Sequence, residues 1–385
     1  MSSSTSNSEQ PGAPAPSAET RAGHPVVRLL VRAALFGLLA LGVLELLLRF
    51  VLPARESPIP WQEPDQSLLL YDPSVPDGLF TSGRLAEQRS PWHINTLGWN
   101  AGIEYRPAAE RDRPVVAVVG DSQIEGFYVA WPEHIASRLS ALSDGRIEGQ
   151  SYGGSAFQIA TFARIARYLG QHHLDPEVLV FAINRGDFWY TLRGYGRPRA
   201  QLATWAFDPA AGTFTETPPA PYRTTTMRRL MRTSALVRYL VFNAGLNPLA
   251  GGDGPELGMA ELKAFPEAEA DFQPLIGPTT EHLLDEVAAA LPHTFVLFAV
   301  EADRRAIHRG EVPAPIELSA PIAEVCRRRG CGHLDLTDAM VAAFRADGQL
   351  LNFPHNAHWN AHAHDVVARA IYAWLVEHDR LPTKR

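Results

Sequence analysis

Two short segments far apart in the chain carry the residue types of nucleophilic catalysis. The first is Val118-Val119-Gly120-Asp121-Ser122-Gln123-Ile124-Glu125-Gly126, and the second is Phe353-Pro354-His355-Asn356-Ala357-His358-Trp359-Asn360. A serine hydroxyl is almost wholly un-ionised at neutral pH, so it attacks a carbonyl only when a base accepts its proton. Ser122 is the candidate nucleophile and His358 the candidate base, and the chemistry they would perform is acyl transfer. Gly-Asp-Ser alone is also an ordinary helix-start cap. The distant histidine, set just before a helix capped by Asn360, gives the serine its weight.

These residues need elements to hold them. Pro114–Val119 is a short apolar, β-branched run, as in a strand buried on both faces. A serine directly after such a strand sits where α/β sheets gather ligands, and its own N–H at a helix start can stabilise an oxyanion. Helical spacing follows in Trp131, Ile135, Leu139 and Leu142, and again in Phe157, Phe162, Ile165 and Leu169. Val178–Ile183 reads as a second strand, Thr294–Val300 as a third and His333–Leu336 as a fourth. Helices are expected around Leu283–Leu291, Glu317–Arg329 and Asn360–Glu377. Such alternation implies an α/β domain with a parallel sheet covered on both faces, over residues 113–380. Between Trp189 and Phe272 the alternation stops. Residues 190–272 read as an insertion, a lid or a surface excursion, with one helix at Met227–Phe242.

The two end segments resemble the first and last blocks of the GDSL/SGNH hydrolase superfamily. Gly126 matches the later glycine of the first block, and His358, Trp359, Asn360 and His364 fall in register with the last. Ile94-Asn95-Thr96-Leu97-Gly98-Trp99 resembles the lead-in of membrane-anchored members, some of them polysaccharide O-acetyl esterases or transferases. The resemblance implies a flavodoxin-like three-layer sandwich. It also implies a Ser nucleophile, a His base, and an oxyanion hole built from the Ser N–H, a second-block glycine N–H and a third-block Asn side chain.

The chain departs from that pattern in three places. The acid position of the last block holds Asn356, and the alternative acid position holds His355; neither is a carboxylate. Asn356 can orient the His358 ring without supplying charge, and a comparable swap in a serine protease costs about 10⁴ in turnover. The site then works as a dyad with carbonyl support, with a carboxylate from elsewhere, or weakly. In the second block Ala156 stands at the usual oxyanion glycine, with Gly153 or Gly154 as substitutes. In the third block Gly186 stands where Asn is expected, Asn184 comes two residues early, and Asp187 is in register. Asp121 and Asp187 are candidates for support. His355, His358, His362 and His364 read as flanking histidines and not as a metal site, and no cofactor is expected. Asp335 reads as a strand-end cap or as a residue reaching the site, and Asp303, Arg304 and Arg305 as a solvated loop or as a lining of the pocket. Trp359, Trp189 and Tyr190 are either sugar-stacking surfaces or core.

Ahead of the domain, residues 1–24 are rich in Ser, Pro, Ala and Gly and are expected to form a disordered cytoplasmic tail. Residues 25–53 form an apolar run whose stretch from Ala33 to Leu52, about 20 residues, is long enough to cross a bilayer. Glu45 and Arg49 interrupt it and lie four apart, able to pair. Arg21, Arg28 and Arg32 precede the run, and no small-x-small cleavage site follows it, so a single-pass anchor with a periplasmic or other extracytoplasmic domain is expected. Residues 54–112, rich in Pro, read as an extended segment packed on that domain. Cys326 and Cys331 read as two thiols or as a local disulfide. A net charge of −7 gives no reason to expect nucleic acid. The expected activity is ester hydrolysis or O-acyl transfer on acylated carbohydrate, lipid or small esters of the cell envelope. The competing reading is a catalytically degenerate relative, kept as an envelope-assembly partner or glycan-binding module. The sequence names no protein partner.

Overall fold

The computed structural model describes residues 25–62, 68–192, 200–246, 269–354 and 356–381. The expected N-terminal tail, His355 and part of the insertion lie outside the described residues. In chain order the elements begin with α1 (Pro25–Phe50), β1 (Pro60–Trp61), β2 (Leu70–Tyr71), β3 (Asp77–Ser82) and β4 (Gln88–His93). Then come β5 (Val115–Gly120), α2 (Ser122–Glu125), α3 (Ile135–Leu142), β6 (Glu148–Gly153), α4 (Ile159–Gln171), β7 (Val178–Ile183) and α5 (Arg185–Thr191). Next are β8 (Thr204–Asp208), β9 (Thr213–Thr217), α6 (Thr226–Thr233) and α7 (Ala235–Arg238), followed by a π-turn at Tyr239–Asn243. The chain continues through α8 (Glu269–Ala290), β10 (Phe295–Val300), α9 (Arg304–His308), α10 (Ser319–Arg329), β11 (Gly332–Asp335), α11 (Thr337–Asp347) and α12 (Ala361–Glu377).

Five strands form one parallel sheet in the order β11-β10-β7-β5-β6. Counted within the sheet this is the flavodoxin-like order, and its direction reverses between β5 and β7, the switch point where such sheets bind ligands. Alternate strand residues feed two cores. Val115, Ala117, Val119, Leu179, Phe181 and Phe298 face α4, α8 and α10, while Val116, Val118, Val180, Leu297 and Ala299 face α3, α11 and α12. Burial on both faces is why these strands read as continuous apolar runs.

Strand β6 escaped the sequence reading because it is polar. Its sequence is Glu-Gly-Gln-Ser-Tyr-Gly, and its buried groups are satisfied individually. Tyr105 donates to Ser151 O at 2.8 Å and accepts from Ser151 N at 2.9 Å, while Ser151 Oγ donates to Ile124 O at 2.7 Å. Residues ahead of the domain thus complete the edge of the sheet, and they form two antiparallel pairs, β1–β2 and β3–β4, instead of a merely extended segment. The Asn95–Trp99 motif is a turn: Asn95 Oδ1 accepts from Leu97 N and Trp99 N, and Gly98 has φ +86° with Tyr71 O only 2.8 Å from where a Cβ would stand. That turn drives Trp99 into the core against Tyr152, Phe157 and Tyr168.

Helix α1 is the one described helix long and apolar enough to cross a membrane. Glu45 and Arg49 do pair, at 2.6 Å, and they also bind the insertion. Glu45 accepts from Ser234 Oγ, Ala235 N and Leu236 N at 2.8, 2.7 and 2.9 Å, and Arg49 donates to Thr233 O. The single expected helix over Met227–Phe242 is broken at Ser234, whose side chain caps α7. Cys326 and Cys331 are joined by a disulfide at the end of α10.

Candidate active site

Strand β5 delivers Ser122 as the first residue of α2, and the loop before α12 delivers His358. Ser122 Oγ and His358 Nε2 lie 2.8 Å apart. Asn356 Oδ1 accepts from the His358 backbone N–H at 2.9 Å and contacts the ring Nδ1. A backbone N–H can only donate, so the Asn356 atom facing both groups is its oxygen. Nδ1 is therefore the protonated nitrogen, and the lone pair on Nε2 faces the serine hydroxyl, as a general base requires. No carboxylate hydrogen-bonds His358 among the described residues. Burial, then Arg304 and Arg55, hold its pKa down at about 3, so the ring is neutral.

The loop carrying His358 is clamped by several side chains. Gln123, next to Ser122, accepts from Trp359 N at 2.6 Å and donates to Ala357 O at 3.4 Å. Arg304 donates to Ala357 O at 2.8 Å and to Glu301 at 2.8 Å, and Glu301 accepts from Trp359 Nε1 at 2.9 Å. Tyr128 stacks on the imidazole with ring centres 4.2 Å apart. Arg304 is thus a partly buried positioning group and not a member of a solvated loop. The signal for Gln123 was its adjacency to Ser122; Tyr128 and Glu301 had none. We expect Gln123→Ala to lower kcat on a soluble ester about tenfold to a hundredfold with KM nearly unchanged, because the loss is one of orientation. Gln123→Glu, which keeps the acceptor for Trp359 N, restores most of it; steady-state kinetics check both.

No family model and no curated protein matches the chain. Solved structures similar to it include LAE5, an alpha/beta hydrolase enzyme from the metagenome of Lake Arreo, Spain, with 12% identity, 70% of this chain and 97% of that chain covered, and a TM-score of 0.36. A member of the lipolytic protein G-D-S-L family from Veillonella parvula DSM 2008 is 11% identical over 68% of this chain and 96% of its own, with a TM-score of 0.35. The two-domain esterase CEX, active on acetylated mannans, is 9% identical over 71% of this chain and 51% of its own, with a TM-score of 0.38.

The expected oxyanion donors divide. Among the described residues, the Ser122 and Ala156 N–H groups find no acceptor within the protein. Gly154 N donates to Gly120 O at 3.4 Å, so its N–H is turned away from that role. Ala156 has φ +62°, the left-handed conformation that glycine adopts freely and that costs an alanine about 1–2 kcal/mol. The glycine of the resembled block is thus a conformational requirement that this chain meets with strain. The Asn184 amide is committed elsewhere. Its Oδ1 accepts from Gly186 N, while Nδ2 donates to Asp121 Oδ2 at 2.9 Å and to Asp187 Oδ1 at 3.3 Å. It reaches an oxyanion only by leaving these carboxyls. Burial pushes Asp121 up to about 6 and Asp187 well above the usual carboxylate range, the neighbouring Asp121 charge adding to the latter. Both support the third-block loop: Asp121 caps α2 at Gln123 N, and Asp187 accepts from Asn184 N.

The remaining candidates have structural partners. Buried Glu125 accepts from Ser155 N and Ser155 Oγ and from Tyr71, fixing the second-block loop to α2. His364 is buried and accepts from Ile135 N, at the start of α3, and His362 lies near Asp347, so the histidines face different partners. Asp335 binds Ser319 and Thr337 N, as a strand-end cap. Trp359 and Trp189 are buried, which removes them as sugar-stacking surfaces. A cavity of about 420 Å³ borders Asn356 and Ala357 and is lined by Arg185, Arg304 and Arg305.

Proposed function

We propose that the chain is a membrane-anchored serine ester hydrolase or O-acyltransferase of the SGNH type, with Ser122 as nucleophile, His358 as base and Asn356 as the carbonyl that orients the base. One observation carries this reading: the 2.8 Å contact between Ser122 Oγ and the unprotonated nitrogen of His358 at the switch point of the sheet. Ser122 Oγ bonds to the acyl carbon as its proton passes to His358 Nε2. The carbonyl oxygen becomes an oxyanion beside the N–H groups of Ser122 and Ala156. The ester C–O bond then breaks, and the leaving alkoxide takes the proton from Nε2. Water or an acceptor hydroxyl repeats the sequence on the acyl-enzyme, with His358 again removing its proton.

Arg21, Arg28 and Arg32, ahead of the apolar stretch that begins at Ala33, support a cytoplasmic N-terminus, and the Cys326–Cys331 disulfide supports an oxidising, extracytoplasmic compartment for the domain. The substrates expected there are esters of envelope carbohydrate or lipid. The non-catalytic reading, a partner or glycan-binding module, draws on Asn356 and on the engaged amide of Asn184. A fluorophosphonate probe separates the two. Labelling of the full-length protein that vanishes in Ser122→Ala is the expected result; a folded protein that never labels belongs to the non-catalytic reading.

A further inference from the structure

The two charges inside α1 tie a piece of the insertion to the membrane helix. Glu45 caps the start of α7, seven residues before Leu52, so if the span runs to Leu52 that contact lies about 10 Å inside its exit. The turn after α7 is locked in place from the other side. Asn243 accepts from Arg55 N and donates to Thr81 Oγ1 and Gly83 O, and Tyr239 donates to Arg84 O. The anchor exit, the insertion and the β3–β4 turn are therefore one packed unit.

That unit carries exposed apolar side chains on each of its parts: Phe50 and Val51 at the exit, Leu85 on the β3–β4 turn, and Leu240 and Leu246 in and after the π-turn. Leu85 and Leu246 are 68% and 62% exposed among the described residues. Exposed apolar residues on segments bonded to the end of an apolar span match the headgroup–acyl boundary of a bilayer.

The candidate active site stands next to this collar. The Arg55 guanidinium lies 3.8 Å from the Phe80 ring centre, Phe80 and Tyr128 are 4.5 Å apart, and Tyr128 and His358 are 4.2 Å apart. Three contacts thus link the third residue after Leu52 to the imidazole, which lies within about 13 Å of the Arg55 guanidinium.

We propose that the collar of Leu85, Leu240 and Leu246 lies in the membrane interface, and that Ser122 attacks the acyl ester of an amphiphile residing in the same leaflet. This rests on the serine-hydrolase reading above. The acyl–oxygen bond of the amphiphile breaks as Ser122 Oγ takes the acyl group, the leaving oxygen takes the serine proton from His358 and stays with the amphiphile as a hydroxyl, and water or an acceptor hydroxyl then removes the acyl group from Ser122.

The test uses the full-length protein in nanodiscs of phosphatidylcholine and phosphatidylglycerol. Two esters are compared, p-nitrophenyl palmitate within the bilayer and p-nitrophenyl acetate in water. In the Leu85→Asp, Leu246→Asp double variant, turnover of the bilayer ester is expected to fall about tenfold or more while that of the soluble ester stays within about twofold. Equal effects on both esters, or none on either, overturn the proposal. A second readout needs no activity. Bimane attached at Leu246→Cys is expected to be quenched by a shallow doxyl-labelled lipid, and bimane at Val376→Cys on α12 is not. An unquenched Leu246 position overturns the membrane placement. Turnover of neither ester overturns the substrate and the hydrolase reading together, and the quenching then shows whether the placement failed with them.

Discussion

Asn356→Asp raises kcat/KM on an activated ester by about 10² to 10³, through the charge that the wild-type site lacks. When Ser122 loses its proton, an imidazolium forms in a buried site that already contains the fields of Arg304 and Arg55. Asn356 supplies an oxygen in the correct place but no negative charge. A carboxylate at about 4 Å contributes roughly 4 kcal/mol at the effective dielectric of protein sites, which is about 10³ in rate. The figure is below the ~10⁴ of the protease swap because that replacement also lost the correct tautomer, which Asn356 preserves here. The pH profile must move with the rate. The neutral imidazole is the active form, so activity falls as pH drops through its pKa. With that pKa at about 3, the imidazole sets no acid limb above about pH 4 in the wild type, and Asp121, at about 6, titrates in both proteins alike. The same interaction energy raises the pKa by about two to three units, so the variant loses activity below about pH 6. A faster variant with an unmoved acid limb would contradict this account; pH–rate profiles and thermal unfolding of both proteins decide it.

The sheet was legible because its chemistry is uniform. Val115–Val119, Val178–Ile183 and Phe295–Val300 are buried on both faces, and continuous β-branched and aromatic runs have few other homes. β6 was not legible, since its polar groups are satisfied by partners that no apolar pattern marks: Ser151 by Tyr105 and Ile124, and Gln150 by its strand neighbours Glu148 and Tyr152. The pairing of Ser122 with His358 was readable because the two residues come from motifs at a strand end and a helix start. The clamp around the base was not. Gln123, Glu301, Arg304 and Tyr128 act through single contacts to backbone or ring, and no spacing rule announces such contacts. Asn184 shows the opposite error. It had the expected residue type near the expected place, but its hydrogens answer to two buried carboxyls. The role of Glu45 was half visible: a pair with Arg49 follows from their spacing, whereas the capping of α7 depends on an insertion whose fold the sequence left open.

Ser122→Ala, His358→Ala and the double variant each lower kcat by the same factor, about 10² to 10³, because neither side chain performs the step without the other. The loss is smaller than the roughly 2 × 10⁶ seen when a serine protease triad loses its serine or histidine, since a site oriented by an amide starts lower. The effects of Asn356→Asp and Ser122→Ala are therefore coupled. In the Asn356→Asp background the same Ser122→Ala change must cost more, by the factor that the carboxylate added. A positioning role for Ser122 gives a different pattern: removing a hydroxyl that only holds the ring would cost little and would leave the Asn356→Asp gain intact. The comparison is a double-mutant cycle on kcat, and it fixes whether the proton moves between Ser122 and His358 or whether their contact merely packs the loop. Substitution of His358 also removes the ring stacked on Tyr128, so His358→Gln is measured beside His358→Ala to separate lost packing from lost basicity. Equal losses in the two, with unchanged unfolding temperature, assign the effect to the missing base.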